Sequence, residues 1–72
     1  MLDKELLTHR LTAMAVRIAS LEGEIASMGQ VATASWSGPA AERFNAELNR
    51  QRAALADIRS DLHNAAALVL AR

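Results

Sequence analysis

Leu7, Leu11, Met14, Ile18, Leu21, Ile25, Met28 and Ala32 return along the chain at alternating spacings of four and three. The same rhythm resumes with Ala41, Phe44, Leu48, Leu55, Ile58, Leu62, Ala65 and Val69, and Gln51 is its one polar member. Side chains spaced this way come back to one face of an α-helix every three and a half residues. Between the two series stands Pro39, the only proline. It fits the first turn of a helix, where a missing N–H costs nothing, and Gly38 before it can serve as the cap. The ring also keeps Gly38 out of the helical region, so the first helix cannot run through it. The reading is all-α: an antiparallel helix-turn-helix hairpin in one domain, 1–72, with helix 1 at about 3–33, a turn at about 34–38 and helix 2 at about 39–71.

Composition supports helix, because Ala and Leu, the best helix formers, dominate the apolar residues and aromatics are nearly absent. At the start, Asp3 can cap helix 1, with Leu2 and Leu7 as a hydrophobic staple around it. Gly29 leaves two endings open: the helix stops there, or it continues to about Ala34.

Folded on each other, the two series match rung by rung. Leu11 faces Leu62, Met14 faces Ile58, Ile18 faces Leu55, Leu21 faces Gln51, Ile25 faces Leu48, Met28 faces Phe44, and Ala32 faces Ala41. Each pair of residue numbers adds to 72 or 73, so one pivot near Trp36 aligns all seven. Small meets small beside the turn, where the backbones converge. Of the flanking charges, Arg10 falls level with Asp61 and Glu22 with Arg52, whereas Glu24 and Glu47 fall together. Exposed pairs of this kind tune register and hold little of the fold.

A chain of 72 residues buries too little surface to be comfortable alone, and small domains lean on disulfides, metals or partners. There is no cysteine, and two histidines make a poor staple. A partner remains. Helix 1 offers it a place, a second stripe of Ala13, Val16, Ser20, Gly23 and Ser27, with Thr12, Ala15, Ala19 and Ala26 beside it. A helix with small or apolar residues around most of its circumference is usually buried on several sides. The expectation is that two hairpins pack into a four-helix bundle; the plainer reading is that alanine is a good surface helix former. Gln51 then reads as a register device or as a tolerated polar residue.

Other function classes find little support. Residues 1–36 carry three basic and four acidic side chains, and residues 37–72 five and four, so no basic stripe marks a nucleic-acid binder. No apolar run approaches the length of a membrane span, and the N-terminus lacks the regions of a cleaved signal peptide. Asp57, Ser60, Asp61 and His63 have the residue types of a catalytic triad but follow one another along one helix, without a nucleophile turn. His9 and His63 fall level, with Glu5 one turn from His9, yet both lie outside the seam and point apart. Neither a catalytic site, a metal site nor a cofactor is expected.

The turn carries a family likeness. Trp36-Ser37-Gly38 matches the Trp-x-Gly motif, and the stretch from Trp36 through Pro39 to Phe44, with an aromatic eight residues after the Trp, resembles the WXG superfamily, the helical-hairpin substrates of type VII secretion systems. The resemblance covers the whole chain in architecture and residues 36–48 in sequence. It implies a hairpin that pairs with itself or a homologous hairpin, is exported folded without a signal peptide from a cytoplasmic pool, and has a larger effector and a secretion ATPase among its contacts. It also makes Trp36 and Gly38 part of a recognition surface, beside the reading in which Trp36 plugs the bundle end and Gly38 permits the turn. The family's C-terminal signal, a Tyr followed four residues later by an acidic residue, has no counterpart, since there is no tyrosine and Asp61 is the last acidic residue. The expectation is that the partner supplies it, or that this is a cytoplasmic chaperone or adaptor for a larger effector.

Overall fold

The computed structural model describes residues 2–72, with side chains from residue 3 onward. Two helices, α1 (Leu2–Ser35) and α2 (Pro39–Ala71), form an antiparallel hairpin. At about 1.5 Å per residue, such helices are roughly 50 Å long, and the molecule measures 55 × 14 × 10 Å. Its radius of gyration is 16.5 Å, against about 11 Å for a compact domain of this size. The all-α hairpin expected from the sequence is the fold, and it is a rod.

The helix ends differ in detail from expectation. Because α1 already includes Leu2, Asp3 lies in its first turn with Glu5 and is not the residue ahead of it. Both carboxylates favour the positive end of the helix dipole there. The staple on Leu2 falls outside the described side chains. At the other end α1 passes through Gly29 and reaches Ser35. No proline interrupts it, and the hydroxyl of Thr33 donates to the Gly29 carbonyl at 2.8 Å, with Ser35 doing the same to Val31.

Three residues, Trp36 to Gly38, make the turn. Gly38 has φ 101° and ψ −179°, a backbone state essentially reserved for glycine. Its carbonyl accepts the Glu42 N–H at 3.0 Å, which opens α2, and Pro39 takes the first helical position as expected.

The core corrects the seam. The residues turned toward the other helix are Thr8, Leu11, Ala15, Ile18, Glu22, Ile25, Gly29 and Ala32 on α1. On α2 they are Ala41, Asn45, Leu48, Leu55, Arg59, Leu62, Ala66 and Val69, and Lys4, Ala26, Ala56 and Ala65 are half-buried beside these rows. Ala15, Ala41, Leu48 and Ala66 are the buried residues. So Leu11, Ile18, Ile25, Leu48, Leu55, Leu62 and Val69 face inward as expected. Leu7, Met14, Leu21, Met28, Phe44 and Ile58, expected inside the hairpin, are instead 38–50 % exposed. In each case the next residue takes the inner place: Thr8, Ala15, Glu22, Gly29, Asn45 and Arg59. Both helices are therefore turned by about 50°, half of one helical step.

The physical reason lies in those replacements. Ala15 and Gly29 carry almost no side chain, so the backbones approach closely. Thr8 is satisfied within its own helix by the Lys4 carbonyl at 2.9 Å. Glu22 and Arg59 satisfy each other. The Arg59 guanidinium donates from Nε to Oε2 at 2.7 Å and from its terminal nitrogen to Oε1 at 3.3 Å. This replaces the expected Glu22–Arg52 pair. Arg10 and Asp61 form no ion pair among the described residues, and Glu47 bonds to Arg50 on its own helix.

Candidate functional site

A one-residue step back from the inner seam rotates in opposite senses on antiparallel helices, so it leads to the same side of the hairpin on both. Leu7, Met14, Leu21 and Met28 from α1 therefore share one flank with Phe44, Gln51 and Ile58 from α2. Near the turn the flank deepens into an apolar depression of about 400 Å³ lined by Ser27, Met28, Val31, Ala32 and Phe44. Val31 and Leu68 extend the apolar edge, at 67 % and 65 % exposed. A contiguous patch of this kind on a small protein marks an interaction surface, whereas scattered apolar residues do not.

The turn closes one end of this flank. Trp36 packs on Phe44 with ring centroids 5.7 Å apart and planes at 49°, a tilted arrangement that aromatic pairs favour. Phe44 is thus the aromatic that holds the Trp of the Trp-Ser-Gly turn. Trp36 remains half exposed all the same. It is anchored on one side and open on the other.

The opposite flank is of mixed character, with polar side chains set among Ile25, Ala26, Ala34 and Leu48. An open groove of about 670 Å³ there is lined by Ile25, Ala26, Gly29, Gln30, Thr33, Ala34, Asn45, Leu48, Asn49 and Arg52. The Asn45 amide donates to the Thr33 hydroxyl at 3.3 Å, and its Oδ1 is buried without a hydrogen-bond partner. Deeper along the seam, Glu22 has its carboxyl pulled below the usual range. The Arg59 hydrogen bonds do most of this, burial opposes it, and the charges of Arg59 and Arg52 add to it.

The second stripe of Ala13, Val16, Ser20, Gly23 and Ser27 lies on the outer side of α1 and is exposed throughout, with Ser27 at the rim of the apolar depression. A side chain added at Gly23 would meet nothing within 4 Å. The sequence did not point to the Glu22–Arg59 bond or to the Asn45–Thr33 contact, though both polar pairs sit one residue beyond the apolar rhythm. Among the described residues no group of three metal-ligating side chains converges, and no helix is long and apolar enough to cross a membrane. No family model, curated protein or solved structure matches the chain.

Proposed function

We propose that this chain is one half of a four-helix bundle and works as a WXG-like type VII secretion substrate or co-secreted partner, pairing with a second copy or a homologous hairpin. The observation that carries the pairing is that both helices turn their apolar stripes to the same flank. In a four-helix bundle each stripe points at the bundle axis, about 45° away from either neighbouring helix. A turn of about 50° is what that geometry asks for, and a self-sufficient two-helix rod has no use for it. Surface area agrees. The hairpin exposes 5446 Å², whereas a compact protein of its mass exposes about 4,300 Å². The surplus, on the order of 1,000 Å², is close to the roughly 800 Å² that each partner covers in a standard interface.

For secretion the support is the turn. Trp36-Ser37-Gly38 stands between helices of nearly equal length, with Trp36 anchored yet accessible and Gly38 in a conformation that needs glycine. Sedimentation of the purified chain, alone and with partners co-purified from its native host, tests the pairing. The expected species is a homodimer or a one-to-one hairpin complex. A well-folded monomer at micromolar concentration that captures no second hairpin would overturn it. Trp36→Ala is expected to leave helicity intact and to reduce export or partner binding. A chain that pairs normally but is never exported, and that holds a larger effector in the cytoplasm, is the adaptor reading.

A further inference from the structure

We infer that the hairpin has two packings, exchanged by counter-rotation of its helices through about 50°: an open one that offers the flank, and a closed one that buries it. Each helix carries two heptad seams, half a step apart, that share Leu11, Ile18 and Ile25 on α1 and Leu48, Leu55 and Leu62 on α2. One seam adds the large apolar residues of the flank. The other adds Thr8, Ala15, Glu22, Gly29, Asn45 and Arg59, and the structure has this second seam inside. It is the open form.

Antiparallel helices that turn in opposite senses behave as meshed gears, so the shared residues stay between them throughout. The rotation carries Leu21, Ile58 and their neighbours inward, Gln51 with them, and returns Glu22, Arg59 and Asn45 to water. Two observations favour such a closed form for the unpaired chain. Six large apolar side chains stand 38–50 % exposed in the open form. The Oδ1 of Asn45 is buried there with no hydrogen bond, a cost that rotation removes. The Glu22–Arg59 bond and the small residues Ala15 and Gly29 hold the open form together, and a partner on the flank would tip the balance toward it. This last step rests on the pairing reading.

Because the chain has no cysteine, single substitutions report each face by thiol labelling. Ala15→Cys probes the open seam, where Ala15 is 1 % exposed, and Leu21→Cys probes the flank, where Leu21 is 45 % exposed. Ala66→Cys and Ile58→Cys, at 7 % and 45 %, repeat the test on α2 should the first pair disturb folding. The labelling is read on dilute chain that is monomeric by sedimentation and helical by circular dichroism. The expected result is a reversal of the exposures: Ala15→Cys reacts at least about tenfold faster than Leu21→Cys, as a population shift to the closed form requires. A helical monomer in which Ala15→Cys stays protected and Leu21→Cys reacts overturns the proposal, as does a monomer without helix. Pairing is read separately, from the mass at micromolar concentration, so either idea can fail without the other.

Discussion

The inner seam and the apolar flank run along the same two helices, one residue apart, and are built from opposite chemistries. The seam takes Ala15, Gly29, Ala41 and Ala66 together with an ion pair and an asparagine, while the flank keeps Leu7, Met14, Leu21, Met28, Phe44 and Ile58. Only the shared row, from Leu11 to Leu62, belongs to both. The difference separates two ways of joining helices. Small residues let backbones approach until the helices touch along their length, and large ones need a further layer to interlock with. A hairpin that places its small residues inside and its large ones beside them is built as part of something thicker.

Substitutions that separate seam from flank have the largest expected effects. Leu48, 6 % exposed between the helices, loses its packing in Leu48→Ala. That change should remove about 2–4 kcal/mol of hairpin stability in thermal or denaturant melts. Leu21→Asp should abolish pairing by sedimentation while the chain stays helical in the open packing, where residue 21 is 45 % exposed. If the two variants melt alike, seam and flank are not distinct surfaces.

Next comes the turn that both surfaces share. Gly38→Ala forces a β-carbon into a backbone state with φ 101°, and should cost about 1–3 kcal/mol. A denaturant midpoint that does not move would mean that the turn has a second acceptable geometry.

Glycines inside α1 sharpen the comparison further, because one faces the seam and the other the back. A β-carbon at Gly29 would sit 3.8 Å from Asn45 Oδ1 and Leu48 Cδ1, an ordinary contact, and one at Gly23 would meet nothing. Each change to alanine should therefore add up to about 1 kcal/mol of helix stability. Loss of pairing in Gly23→Ala, with monomer stability raised, would add the back stripe to the interface.

The smallest effect is that of pH. Glu22 has a folded pKa below its unfolded value, so its contribution is fully present above the ordinary carboxylate range and is lost as pH falls through the folded value. Glu47 shifts in the same direction through Arg50, but that bond stays within α2. Melts of Glu22→Gln and Glu47→Gln in the paired state at neutral and acidic pH should show acid sensitivity reduced chiefly in the first, since of the two carboxylates only Glu22 bonds across to the other helix.

Much of this was legible before folding. The four-three rhythm marked both helices, Gly38-Pro39 marked the turn and the start of α2, and the shared row of the core was read correctly. The placement of Met14 inside and Ala15 outside was not, although the two are neighbours in sequence. Nor could Glu22 be assigned to Arg59 in place of Arg52, one helical repeat nearer the turn, because long side chains reach along the rod.

By itself the sequence determined that there are two helices, where the chain reverses, and that each carries an apolar stripe. Tertiary structure alone decided which edge of the stripe faces the other helix. A helix fixes the angles between its own side chains but not its rotation about its own axis. That rotation depends on how closely two particular backbones can approach, and Ala15, Gly29 and the Glu22–Arg59 bond are the contacts that hold the packing seen here.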